Sequence, residues 1–251
     1  GARAGVLSAL LARSGISGVR NVLEGRAGLY NLYLRGEFDR ERLLCEAIPF
    51  EMENLSYKPY PCCRHNHAAI DAVLELMDRH SLRAADIAAV SVGVNGEAFR
   101  NVCEPRAIKT QPRNVVDAQF SIPWCVAVAL LQRAVPIESL APEALSDAPT
   151  LAMASQVECR LDAAIEKDFG TQVSPAEVRI TLKSGASHVL RKDHPRGSPE
   201  VPMDGHAMTG KFRDCAAWRQ PRWSAAEADR LIAAVYDLER FSDVRDFVTL
   251  V

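Results

Sequence analysis

Apolar side chains return at three- and four-residue intervals in several stretches of the chain, the spacing that gathers them on one face of an α-helix. Gly5 to Leu11 (GVLSALL) shows it from the first turn, and a shorter helix is predicted from Asn21 or Val22. His67 to His80 (HAAIDAVLELMDRH) repeats it in Ile70, Val73, Leu74 and Met77. Phe120 to Val135 (FSIPWCVAVALLQRAV) is apolar on nearly every side, with Pro123 where the first turn would lie, so a buried helix is expected there. Thr150 to Ile165, Gly210 to Trp218 and Ser224 to Leu238 read as further helices. Alternation with a period of two marks Ile87 to Asn95 (IAAVSVGVN) as a strand with Val90, Val92 and Val94 on one side. EVRITL and SHVLR, around Lys183-Ser184-Gly185-Ala186, read as a hairpin.

The intervals between these runs are loops of recognisable kinds. Tyr57 to Arg64 (YKPYPCCR) holds two prolines within three residues, which no helix interior tolerates, so a stiff extended loop is expected. Ser81 to Asp86 reads as a turn, Pro142 to Asp147 as a loop with a short helix, and Asp193 to Pro202 (DHPRGSPEVP) as a long loop. The succession of helices, then strands mixed with helices, then helices again predicts an α+β fold. In it an all-helical domain, incomplete here, carries an inserted α+β module. The expected division is 1–54 helical, 55–193 α+β and 194–251 a return to the helical domain. Ala4 to Ala12 is expected to be a buried helix; it lacks the basic flank and cleavage site of a signal peptide. Because it starts without a capping residue, a preceding segment is expected.

Composition narrows the function classes. The net charge of −2 over 251 residues gives no support for a nucleic-acid or anionic-membrane partner. No apolar run approaches the ~20 residues of a membrane span. The seven cysteines, Cys45, Cys62, Cys63, Cys103, Cys125, Cys159 and Cys215, are odd in number and mostly lie in apolar segments. That is the pattern of reduced cysteines in a cytoplasmic protein.

The densest chemistry lies in Cys62-Cys63-Arg64-His65-Asn66-His67. The spacing lacks the gaps and the second ligand pair of a zinc site, so no metal is expected. His65-Asn66-His67 spells the HNH nuclease tripeptide, but its surroundings are not basic enough for a nucleic-acid groove. Adjacent cysteines could supply a nucleophile, although nothing in the pattern lowers a thiol pKa. A histidine acting as general acid or base beside an arginine that holds a carboxylate is a fourth reading. A helix-capping loop whose histidines merely form hydrogen bonds is a fifth. Arg106, Lys109 and Arg113 cluster before the apolar helix, as an anion-binding edge or as a solvated basic loop. His80, His188, His194 and His206 show no partner pattern, and Asp71 suits the dipole of its helix.

Gly5 to Tyr30, Lys58 to Ala72 (KPYPCCRHNHAAIDA), Asp117 to Leu130 (DAQFSIPWCVAVAL) and HPRGSPEVPM with the lysine-phenylalanine helix after it together resemble the MmgE/PrpD family. That family holds 2-methylcitrate dehydratases, cis-aconitate decarboxylases and an iminodisuccinate epimerase. The resemblance implies a cofactor-free lyase or isomerase acting on a small polycarboxylate. It also implies a homodimer whose active site lies between a helical domain and an α+β lid. Matched from Tyr60-Pro61, the dehydratase pattern places a catalytic histidine at His65 and the decarboxylase pattern at His67. Arg64, Cys63 and Lys109 are then the expected substrate-binding residues. Cys62-Cys63-Arg64 departs from the alanine, glutamate and phenylalanine of the dehydratases. The family's remaining catalytic aspartate, histidine and lysine would precede Gly1, so this chain by itself is expected to be inactive. As loop residues, both histidines are expected to matter little for stability.

Overall fold

Alternation in Ile87–Val94 becomes the central strand of a four-stranded sheet in the computed structural model of the chain, which describes residues 1–44, 51–170 and 175–250. The chain divides into two units, Gly1–Glu53 and Asn54–Val251.

The first unit holds α1 (Ala2–Arg13), α2 (Leu29–Leu34) and α3 (Arg40–Leu44). Helix α1 forms as its spacing predicts, but it is not buried: all twelve of its residues are exposed. The helix expected from Asn21 is replaced by turns, and helical structure begins only at Leu29. The cause is local, because a Cβ on Gly25 would lie 2.6 Å from the Asn21 carbonyl oxygen and one on Gly28 2.5 Å from that of Leu23. The backbone folds back too tightly there for a regular helix. Tyr30 stacks on Phe38 at 4.1 Å, and Val6, Leu7, Leu10 and Leu11 are left exposed.

The second unit opens with the irregular segment 57–63 and α4 (His67–Arg79). Strand β1 (Ile87–Val94) follows, then the short helices α5 (Gly96–Ala98), α6 (Arg106–Thr110) and α7 (Val115–Gln119), and the apolar α8 (Ile122–Gln132). Next come α9 (Ala148–Ser155), β2 (Val157–Leu161), α10 (Ala163–Phe169), β3 (Ala176–Leu182) and β4 (Ser187–Lys192). Helices α11 (Gly205–Ala217), α12 (Ala225–Tyr236) and α13 (Val244–Val248) close the chain. The sheet order is β2-β1-β3-β4, with β1 parallel to β2 and antiparallel to β3, and β3 antiparallel to β4. The expected hairpin is β3–β4, with Ile180 opposite His188. The single helix expected over Thr150–Ile165 is wrong: Asp147 caps α9, which stops at Ser155, and β2 then pairs with β1 before Asp162 caps α10.

Hydrophobic periodicity decides how these elements stack. Helix α4 lays Ile70, Val73, Leu76 and Met77 against β3 and β4 on one side and α8 on the other. From β1 and β3, Val90, Val92, Val178 and Ile180 meet them, and Ile122 to Leu130 of α8 are buried without a break. Each large aliphatic side chain enclosed there contributes about 1.5–3 kcal/mol. Ser121 caps α8 by accepting from the Trp124 amide, and Pro123 occupies the first turn, where its missing N–H costs nothing. A capping box of Ser224 and Glu227 starts α12.

Two loops distant in sequence meet at the edge of this core. The Tyr57 amide donates to the Gly197 carbonyl at 2.7 Å. Gly197 has φ +84°, and a Cβ there would stand 2.1 Å from the Tyr57 carbonyl oxygen. Gly197→Ala should therefore cost ~3 kcal/mol or more, combining a left-handed backbone with a clash against a fixed carbonyl. Gly185→Ala, also at positive φ but with open space around it, should cost only ~1 kcal/mol. Thermal unfolding of the two variants checks this: equal losses would mean that the contact at Gly197 is not what constrains the loop.

Candidate functional site

The segment Tyr57–Asp71 converges on one arginine. Its two prolines keep it extended, and a 3-10 turn over Arg64–Asn66 feeds directly into α4. The Arg64 Nη1 group donates to the Arg196 carbonyl at 2.9 Å and to His67 Nδ1 at 3.1 Å. A guanidinium can only donate, so His67 Nδ1 accepts, Nε2 carries the hydrogen, and it donates to the Cys62 carbonyl at 3.4 Å. His67 is fully buried, with the Tyr60 ring edge-on to it at 5.2 Å. Asp71, one turn further along α4, accepts from the Tyr60 hydroxyl and from the Arg196 amide, both at 2.6 Å. Burial and then Asp71 push the Tyr60 phenol well above its ordinary value, so it stays a donor. Asp71 was expected to serve only its helix dipole; its partners instead reach from residue 60 to residue 196.

The sequence-predicted site residues thus fall into distinct settings. Cys63, Arg64 and His65 lie on one loop and its 3-10 turn, and His67 opens α4 directly after it. His65 is 8% exposed, and burial holds it below the usual histidine value, with a smaller opposing effect from Glu97. Cys63 is half-buried, its amide donating to the Gln119 carbonyl at 2.8 Å, and burial pushes its thiol up. Beneath it, Cys62 is drawn below the thiol range, first by the hydrogen bond from Cys125, while that bond and burial push Cys125 up. Asn66 donates to the Gln119 carbonyl and to Cys125 Sγ, but its buried Oδ1 finds no partner among the described residues. Lys109, on α6, is buried and donates to the carbonyls of Asn101 at 2.9 Å and Phe120 at 2.7 Å. It ties the turn before α6 to the start of α8. Arg106 donates to the Ser155 carbonyl, and Arg113 lies 3.5 Å from Asp117.

Beside this loop opens a cleft of about 740 Å³. Its walls include the 58–61 loop, the turn at 135–138, Arg196 and one side of α11. Lys58, Arg196, His206 and Lys211 line it, against Glu138 and Asp214. Glu138 accepts from Trp218 Nε1 at 3.1 Å. Lys58, Arg196 and Lys211 meet no carboxylate at ion-pair distance among the described residues. Local sequence patterns assigned none of these four basic residues to a site, since they come from three separate segments: Lys58 and Arg196 lie in stretches marked only as loops, Lys211 in one marked as a helix, and His206 showed no partner pattern. Other histidines have partners that the sequence did not suggest. The rings of His80 and His188 stack at 3.9 Å, and His194 lies 3.5 Å from Glu200.

Family sequence matches most of this arrangement, Tyr57, Lys58 and Pro59 excepted. A family model described as the MmgE/PrpD C-terminal domain matches residues 60–238. The chain belongs to the MmgE/PrpD family. No curated protein matches it. The MmgE/PrpD match begins at Tyr60 and takes in the Arg64 loop, the sheet, Arg196 and α11. The cysteines of the domain are free: Cys62, Cys103 and Cys125 are buried, Cys159 is half-buried and Cys215 exposed, while Cys45 lies outside the described residues. Among the described residues no three His, Cys, Asp or Glu side chains converge as a metal would require, and no helix is long and apolar enough to cross a membrane.

The geometry corrects one expectation about the histidines. His67 is enclosed and bonded at both nitrogens, so His67→Ala should leave Arg64 and the Cys62 carbonyl short of partners and open a cavity. A loss of ~3 kcal/mol is expected, or a fall in Tm of roughly 6–12 °C. An unchanged melting curve would contradict the bonding described.

His65 behaves differently with pH. Its folded value is depressed, so the stability it contributes is intact above the unfolded value of ~6.5 and lost as pH falls below it. The unfolding free energy should decline as pH falls below about 6.5, and His65→Gln should flatten that slope. The same slope in the variant would assign the titration to another group.

Proposed function

We propose that the chain supplies the carboxylate-binding wall of a lyase or isomerase acting on a small polycarboxylate. The observation that carries this reading is the cleft lined by Lys58, Arg196 and Lys211, none of them paired with a carboxylate among the described residues. Lys58, Arg196 and Lys211 outnumber the Glu138 and Asp214 carboxylates in the same lining, and an anion with several carboxylates supplies the counter-charge that these cations lack. Dehydration, decarboxylation and epimerisation next to a carboxylate share one demand. The substrate must be held while a proton moves at the neighbouring carbon and negative charge develops. His65 fits the proton-transfer role better than His67. It keeps a solvent-reaching edge and is held in the neutral form that a general base needs, whereas His67 has no free nitrogen. Cys63 and Arg64 precede it on the loop; His65 itself does not line the cleft and has Glu97 as its charged neighbour, so a substrate has to reach past the 58–61 wall to meet it. In this reading the sheet-containing part is a lid over a helical domain within a homodimer, as the family resemblance implies, and the cysteine pattern fits a cytoplasmic protein. A second reading, carboxylate binding without turnover, is favoured by the full engagement of His67.

Calorimetric titration with tricarballylate, a stable tricarboxylate, tests the binding claim. Saturable binding is expected, weakening several-fold as salt rises from 0.1 to 0.5 M by charge screening, and absent for the neutral trimethyl ester. No binding at low salt would sink both readings. Turnover is tested with 2-methylcitrate, cis-aconitate and iminodisuccinate, each followed by NMR. His65→Ala should depress turnover by ~100-fold or more, the scale of a lost general acid or base. Binding with no turnover of any substrate would leave the second reading.

A further inference from the structure

Most arginine heads in the second unit are already committed. Arg133 pairs with Asp78 at 2.8 Å, Arg160 with Asp162 and Glu177, and Arg191 with Asp168 and Asp193. Arg64 is held by backbone carbonyls. Arg196 has the opposite character: its backbone is fixed and its head is free. The amide donates to Asp71 at 2.6 Å, the carbonyl accepts from Arg64 at 2.9 Å, and the next residue is Gly197, locked over Tyr57. The exposed guanidinium lies over the Tyr60 ring, 5.5 Å from its centroid, at the wall of the cleft. That ring is itself anchored, because its hydroxyl donates to the other oxygen of Asp71.

We propose that Arg196 is the bidentate clamp for one carboxylate of a small di- or tricarboxylate in this cleft, and that Asp71 is its positioning residue. The inference rests on the polycarboxylate reading above and names the group that carries it. A guanidinium presents two parallel N–H donors that match a carboxylate, whereas Lys58 and Lys211 offer point charges suited to further carboxylates of the same ligand. Binding by Arg196 costs little ordering, since its backbone is already fixed and the Tyr60 face restricts the head. Asp71 sets both restraints with one side chain. An amide at the same place would preserve them: its oxygen accepts from the Arg196 amide, and its NH₂ donates to the Tyr60 oxygen. Alanine would release both.

The test is calorimetric titration of tricarballylate into the full chain and into R196M, R196K, D71A, D71N and K58M, with a melting curve for each. R196M should weaken binding by tenfold or more without lowering Tm, because its head touches only the Tyr60 ring. R196K should recover part of the loss at most. D71A should weaken binding in the same direction, and D71N should restore most of it, a rescue that general loosening of the loop would not give. If R196M binds as the wild-type chain does while K58M is weakened, the clamp assignment is wrong and the cleft reading stands. If the wild-type chain binds no tricarballylate, the cleft reading fails and the clamp with it. D71N as weak as D71A would remove the positioning role.

Discussion

Arg64 brings a full positive charge into a half-buried position, and its hydrogen bonds determine much of what surrounds it. Burial lowers its pKa, yet an arginine does not lose its proton, so the charge has to be met by acceptors. They come from the Arg196 carbonyl and from His67 Nδ1, with Tyr57 and Pro195 carbonyls at 3.5 Å. Meeting them draws together segments more than 130 residues apart. It also settles the tautomer of His67, whose remaining N–H then turns to Cys62. The same junction closes through Asp71 and through the Tyr57–Gly197 contact, which only glycine allows.

This junction separates two populations of charge. On the core side, Arg64 and Lys109 are bound by backbone carbonyls and act as struts. On the cleft side, Lys58, Arg196 and Lys211 stand free of carboxylates among the described residues. Distance from the histidines is therefore not what distinguishes a binding cation from a structural one; the state of its donors is. Lys109 lies near Cys63 electrostatically, but two carbonyls hold it and burial lowers its pKa. An anion recruiting it would have to break both bonds.

Local pattern was legible where one periodicity ran unbroken. Helix α4, the strand at Val90–Val94, the β3–β4 hairpin and the buried α8 follow from spacing alone. Strand β2 did not, because VECRL is five residues long, is flanked by helices and mixes buried with exposed positions. Its parallel pairing with β1, a non-local contact, decides its conformation. The exposure of α1 could not be read either, since an apolar face states a demand for neighbours without supplying them. The loop around Arg64 was recognisable from its prolines and its resemblance to the family. Which of its side chains are struts was not, because partners such as Arg196 lie far along the chain. Asp71 shows the limit well: one turn into a helix it needs no further explanation, until residue 196 is seen to fold onto it.

Amide hydrogen exchange in the wild-type chain and in Arg64→Met tests the central claim most directly. The amides of Tyr57, Arg196 and Gly197 donate to Gly197, Asp71 and Val201. They should be protected in the wild-type chain and exchange ten- to a hundredfold faster in the variant, since losing ~1.4–2.7 kcal/mol of local stability gives that factor. The amides of β1 should exchange at the same rate in both. Unchanged protection at those three positions in Arg64→Met would show that the loops meet without Arg64, and the account of the cleft built on that junction would be wrong.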